Sequence, residues 1–366
     1  MVTSTPTLEP TAGELTFEEL QLAARNRGMP LEALRYDVSP AGLHYLLIHF
    51  DIPAVDAATW RLKIGGRVRN PLELSLEQVR SRPSQTITVT LECAGNGRAR
   101  LSPRPLSQPW LVEAVSTAEW TGTKLGPLLE EVGLGPDAVE VVFTGADRGI
   151  QGGVEQDYAR SLTIADAMRP EVMLVHAMNG EPLQPQHGFP LRLLVPGWYG
   201  MTNVKWLHRI DVLAESFEGY QMVRGYRRRA DEDDPGIPVT RMMPRALMVP
   251  PGIPDFMTRR RTMPLQPCRL EGRAWSGWGA ITAVEVSTDG ATTWMPAELD
   301  GDAPSSWAWR GWSFVWTPSA QGDYELSCRA SDEAGNVQPV DIPWNVGGYS
   351  NNAVQRIPVT VSGSEG

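Results

Sequence analysis

The chain has 366 residues and a net charge of −10, so it is long for a single core and lacks the basic field that general nucleic-acid binding needs. A hydrophobic share of 42% beside 21% charged residues fits a globular protein, and no apolar run approaches the roughly 18 residues of a membrane-spanning helix. Three cysteines are too few for a disulfide framework.

Residues 1–14 are rich in Thr, Pro and Glu and are expected to be disordered. The opening segment has neither a basic nor an apolar signal region. A cytoplasmic protein is therefore expected, or a periplasmic one if a leader has been removed. A helix is predicted over 17–26, with Thr16 as N-cap and Glu19 completing a capping box. Residues 29–56 read as extended and Pro-punctuated. A second helix is predicted over 76–82, between Ser75 as cap and Pro83 as stop. A β-branched run predicts a strand over 86–91, ending just before Cys93.

Further on, a helix is expected over 124–132 with Gly133 at its C-terminus, a strand over 139–144, and a helix over 161–168. Strands are expected over 191–195 and 204–212. Short helices alternating with strands and long connections predict an α+β domain. Arg224, Arg227, Arg228 and Arg229 meet Asp231, Glu232, Asp233 and Asp234 at once. That reads as a solvated, self-neutralising loop, or as basic residues near an anionic substrate. Residues 231–267, rich in Pro, Met and Arg, are expected to be a linker.

From 268 onward short strands alternate with turns, over 269–275, 283–287, 294–298, 307–316, 324–331 and 356–362. Asp289-Gly290, Asp300-Gly301 and Gly335-Asn336 punctuate them. This predicts an all-β, immunoglobulin-like sandwich, with Trp275, Trp278, Trp294, Trp307, Trp309, Trp312 and Trp316 mostly in its core. Cys268 and Cys328 could suit a bridge across it, although nothing else implies an oxidising compartment.

The most informative stretch is Thr90-Leu91-Glu92-Cys93-Ala94-Gly95-Asn96-Gly97-Arg98. A thiol at a strand end, with two glycines that let backbone approach closely, is placed to bind something. Taken alone, a single cysteine is most often a small buried hydrophobe. Cys93-Ala94-Gly95-Asn96 followed by Arg98 resembles the molybdenum-ligating loop of the sulfite oxidase family of molybdopterin-dependent oxidoreductases, in its bacterial, haem-free form. His187-Gly188-Phe189-Pro190-Leu191-Arg192 and Asn203-Val204-Lys205-Trp206-Leu207 resemble its pterin-holding segments. Ala274-Trp275-Ser276-Gly277, Ser287-Thr288-Asp289-Gly290, Trp307-Ala308-Trp309-Arg310 and Asn336-Val337-Gln338-Pro339 resemble its C-terminal domain.

The resemblance runs from about residue 25 to about residue 361. It implies an N-terminal extension over 1–24, a molybdopterin-binding catalytic domain over 25–245 and a sandwich dimerisation domain over 246–366. Cys93 would be a thiolate ligand of molybdenum, a soft donor for a polarisable metal. Tyr45, His49, Asp147, His187, Arg192, Asn203, Val204 and Lys205 would hold the pterin and its phosphate. Arg98, Trp110, Tyr226 and Arg310 would form the substrate pocket. The implied reaction is oxygen-atom transfer, with sulfite or a related small oxyanion oxidised.

One position departs from the pattern. Leu47 stands where sulfite oxidases carry an arginine, in Leu43-His44-Tyr45-Leu46-Leu47-Ile48-His49. A lost guanidinium weakens a dianion pocket, so a less charged substrate is expected. A reductase acting on nitrate or a sulfoxide, and a non-catalytic binding protein on a decayed fold, are the alternatives. The chain has no Cys-x-x-Cys-His haem site. Electrons are therefore expected to pass to an external acceptor, a cytochrome or oxygen. A homodimer is expected from the family's second domain.

Overall fold

The computed structural model describes residues 15–363. The disorder expected over 1–14 lies outside them. The first element, α1 (Phe17–Arg25), begins at the predicted capping box, with the Thr16 hydroxyl accepting from the Glu19 N–H at 3.1 Å and the Glu19 carboxylate accepting from the Thr16 N–H at 3.0 Å. This reciprocal pair satisfies amides that a helix start otherwise leaves open.

The strand β1 (Arg61–Gly66) pairs antiparallel with β2 (Leu72–Ser75) and parallel with Leu207–Leu213. The strand β3 (Ser84–Glu92) lies antiparallel to β4 (Val115–Lys124). A hairpin of β5 (Glu140–Gln151) and β6 (Val154–Thr163) extends the first pair through Leu207–Leu213, while β7 (Met173–Met178) extends the second through β4. The outcome is two five-stranded sheets packed on one core, which includes Leu62, Phe143, Leu193 and Ile210. Only short helices flank them: α2 (Leu76–Arg80), α3 (Leu125–Val132) and α4 (Ile164–Ala167).

The helix expected over 161–168 starts later than predicted: residues 161–163 close β6, and the helical turn is Ile164–Ala167. Ser161 and Leu162 pair with Val142 and Val141, and burial of Leu162 in the ladder overrides local preference. The expected linker over 231–267 also needs correction. Arg245–Met248 is a strand buried along its whole length and paired with Cys268–Trp275.

The C-terminal unit is a sandwich of a four-stranded and a six-stranded sheet. Its core holds Ala246, Leu270, Val284, Trp312, Trp316, Leu326 and Val359. Of the seven tryptophans assigned to that core, Trp312 and Trp316 are in it. Trp275 and Trp309 join the core of the first unit, Trp307 packs beside its Cys93 strand, Trp278 is exposed, and Trp294 is half-buried with the Arg329 guanidinium over its ring at 4.3 Å. Three of the seven thus pack on the first unit and join the two units together. Cys268 and Cys328 are free thiols, not a bridge. Among the described residues no helix is long and apolar enough to cross a membrane.

Candidate active site

The chain leaves β3 at Glu92 and turns sharply, and the turn is pinned by one side chain. Asn96 donates to the Glu92 carboxylate at 3.0 Å and to the Val112 carbonyl at 3.1 Å, while its own oxygen accepts from the Ala114 N–H at 3.1 Å. Gly97 follows in the left-handed region at φ +91°, and a Cβ there would meet Asn351 at 3.0 Å. Cys93 is buried and held by its N–H to the Ala114 carbonyl at 2.9 Å. Burial pushes its thiol upward; the nearby Arg98 charge opposes that shift.

Cys93 sits where two clefts meet. The deeper one encloses about 700 Å³ of non-protein space, part of it open to solvent, and is lined by Tyr45, His49, Cys93, Asp147, His187, Arg192, Asn203, Lys205 and Tyr226. The second is lined by His49, Cys93, Arg98, Trp110 and Tyr226 together with Gln108 and Tyr349. Leu47 lines both. All but two of the residues singled out from sequence are therefore brought together.

The deeper cleft is short of negative charge. Arg192 donates to the carbonyls of His187 at 3.1 Å and Asn203 at 3.3 Å, lies over the Trp120 ring at 4.7 Å, and keeps an unpartnered Nε. Lys205 donates to the carbonyls of Leu47 at 2.8 Å and Gln186 at 3.0 Å. Neither makes an ion pair among the described residues. His44 Nε2 is a further buried atom without a partner. Burial holds the histidines neutral, His44 down to about 4 and His187 to about 2. Burial, then the Arg192 charge, brings Lys205 down to about 7, and burial raises Asp147 to about 6. Buried cations and orphaned ring nitrogens fit an anionic, hydrogen-bonding guest, and the pterin phosphate of a molybdenum cofactor is such a group.

The pH behaviour of these groups follows. Lys205 loses its proton near pH 7 when folded but only near 10.5 when unfolded, so stability rises with pH across that window. Asp147 acts oppositely, its contribution falling as pH rises from 3.8 to about 6. Inorganic pyrophosphate is expected to bind the cofactor-free protein about tenfold more weakly at pH 8.5 than at pH 6, as Lys205 discharges. Calorimetric titration at both values checks this, and Lys205→Met should flatten the dependence.

Two expected site residues lie elsewhere. Arg310 donates to the carbonyls of Asp300 at 3.1 Å and Ile281 at 3.2 Å, and lines a separate pocket with Ser276 and Asp302. Strand alternation explains it: Trp309 turns toward the first unit, donating to the Asp37 carbonyl at 2.7 Å, so Arg310 faces away. Val204 is packed in the first core, and both its backbone polar groups are bonded internally. Asn203 reaches the cleft, but its amide is spent on Val195 N–H and the Tyr199 carbonyl, at 2.7 and 3.2 Å.

The sandwich unit does complete the second cleft, through a different segment. The Gly347 carbonyl accepts from Arg98 Nε at 2.7 Å, and the Tyr349 ring lies 5.2 Å from both the Arg98 guanidinium and the Tyr226 ring. The Tyr226 phenol is pushed well up by burial, and its backbone takes a left-handed φ of +50°. Tyr158 and Tyr349 were not identified from sequence. The only signal for Tyr349 was its place among Gly347, Gly348 and Ser350, an irregular stretch ahead of the last strand.

Residues 49–221 match a family described as oxidoreductase molybdopterin binding domain, and residues 251–362 match one described as Mo-co oxidoreductase dimerisation domain. The chain belongs to the sulfite oxidase family. Rat mitochondrial sulfite oxidase is 34% identical over 341 residues, covering 88% of this chain and 62% of that protein. NADH nitrate reductase 1 of rice is 32% identical over 351 residues, covering 88% of this chain and 38% of the enzyme. The chain thus spans under two thirds of these family members. Among solved structures, the sulfane dehydrogenase SoxCD of Paracoccus pantotrophus aligns with a TM-score of 0.79 at 26% identity, covering 99% of this chain and 95% of that one.

Proposed function

We propose that this protein binds a molybdenum–molybdopterin cofactor through Cys93 and oxidises sulfite or a related small sulfur oxyanion, passing electrons to an external acceptor. The observation that carries this reading is the position of Cys93. Its thiol lies at the junction of a cleft with buried, unpaired cations and a second cleft lined by Arg98, Trp110 and Tyr226. The bound cofactor would supply the transferred oxygen atom and take up two electrons.

Arg192 and Lys205 would neutralise the phosphate, and Asp147 and His187 would meet polar edges of the pterin. Arg98 would hold the substrate oxyanion, its orientation fixed by the Gly347 and Gln108 carbonyls at 2.7 and 3.3 Å. Tyr226 would donate a hydrogen bond to the substrate or product oxygen. Overall, sulfite and water give sulfate, two protons and two electrons. The match of the second unit to a dimerisation domain supports a homodimer.

Metal analysis of purified protein should give about one molybdenum per chain, and sulfite should reduce ferricyanide. A protein that carries no molybdenum after expression with cofactor biosynthesis would remove the reading. The likeness to nitrate reductases and the uncharged Leu47 favour a second reading, oxygen transfer from nitrate; turnover of nitrate with reduced dye in place of sulfite oxidation would support it. If sulfite is the substrate, Leu47→Arg is expected to lower its KM by about tenfold, the worth of one charge-assisted hydrogen bond. An unchanged KM would show that position 47 does not face the anion.

A further inference from the structure

Arg160 is a buried cation that nothing so far uses. It lies on β6 two residues after Tyr158, so both side chains leave the same face of the strand. Arg160 is 3% exposed. It donates from Nη1 to the Gln221 carbonyl, its Nε has no hydrogen-bond partner, and it makes no ion pair among the described residues. Its guanidinium stands 5.5 Å from the centre of the Tyr226 ring. A guanidinium out of water without a carboxylate is costly, and such a charge is normally matched by an anion. The strand and loops around it offer none: the groups that face the Tyr226 side of this cluster are the neutral rings of Tyr158, Tyr349 and His49. The Tyr226 ring lines both clefts that meet at Cys93.

That cleft needs positive charge. Leu47 provides none, Arg310 is turned away, and Arg98 commits Nε and Nη1 to carbonyls. We propose that Arg160 is the second cation of the substrate pocket, a positioning residue that acts through Tyr226 to set affinity for an oxyanion. A cation on one side of a phenol draws charge from the ring and makes its O–H a stronger donor. It also adds positive potential from the far side of the Tyr226 ring, 5.5 Å from its centre. Tyr226 is held between this guanidinium and the Tyr349 ring at 5.2 Å, so Arg160 also fixes where its hydroxyl points. The inference rests on the reading of this cleft as an oxyanion site.

The test compares Arg160→Met and Arg160→Lys with the wild type in the molybdenum-loaded protein. Two quantities are measured: the dissociation constant of sulfate by calorimetry, and KM and kcat for sulfite with ferricyanide. In Arg160→Met the sulfate constant and the sulfite KM are expected to rise about tenfold, the size of one lost charge at this range, with kcat changing less than about threefold. Arg160→Lys is expected to recover most of both. Molybdenum content and Tm report whether the variants fold and load. A Met variant that loads cofactor and binds sulfate as the wild type does would overturn the inference. So would a Lys variant as impaired as the Met one, since that points to shape and not charge. If the wild type oxidises no sulfite, the functional reading fails, and the sulfate titration still decides Arg160. Should both variants fail to fold, Gln221→Ala keeps the charge but removes its neighbour's side chain; an unchanged sulfate constant there is expected, and a tenfold loss would overturn the proposal.

Discussion

Cys93→Ser is expected to lose turnover by more than about a hundredfold and to lose its molybdenum. Partners that merely orient a metal ligand are worth about 10- to 100-fold in affinity or activity, and this change removes the ligand itself. A hydroxyl does not give up its proton to a soft metal as a thiol does. The fold should survive: serine is no larger, and the thiol shares the cleft wall with Trp110 and Tyr226, so little packing is lost. Steady-state kinetics and metal analysis together check it. Wild-type turnover in the variant would remove Cys93 from the chemistry.

Arg245→Met is expected to destabilise the protein by about 3–5 kcal/mol, the usual cost of leaving a buried charge without its partner. Glu92, the residue before the cysteine, is 2% exposed and accepts from Arg245 at 2.8 Å, Trp275 at 2.9 Å and Asn96 at 3.0 Å. Two of these donors come from the sandwich unit and the third from the cysteine turn. Arg245 also donates to the Asn351 carbonyl at 2.9 Å, and Asn351 donates to the Gly97 carbonyl at 2.8 Å. One buried carboxylate therefore ties the cysteine turn to the second unit. Removing Arg245 should lower Tm and loosen the site together. The double variant Arg245→Met, Glu92→Gln should recover part of the loss, because no charge is then left buried; a cycle showing simple additivity would refute the coupling. The two units make a single two-state ΔG unsafe, so the change is best followed as Tm at a fixed scan rate.

Much of the site was legible in the chain. The turn after Glu92 announces itself through two glycines around an asparagine, and His187, Arg192 and Lys205 stand in contiguous segments whose order alone carries the resemblance. The sandwich was legible because its short alternating strands and Asp-Gly turns are local signals. The start of the helix predicted over 161–168 was placed too early because the strand ladder with β5, which holds 161–163, is a long-range pairing that local preference does not reveal. Arg310 was misread because the direction of a side chain in a strand depends on which neighbour is turned inward. Tyr349 was invisible, since it belongs to an irregular segment that gains meaning only against Arg98 and Tyr226.

The order of residues by itself determined the two-unit plan, the capping box at Thr16, the cysteine turn and the cationic set for an anionic cofactor. These rest on contacts within a few residues or on chemistry carried by one side chain. Tertiary structure alone decided which guanidinium lines the cysteine cleft, which is buried without a carboxylate, which ties the two units together and which lines a separate pocket. Arg98, Arg160, Arg245 and Arg310 are the same residue type with four different fates. Their roles were set by what surrounds each guanidinium, and those surroundings are brought from positions dozens to hundreds of residues away.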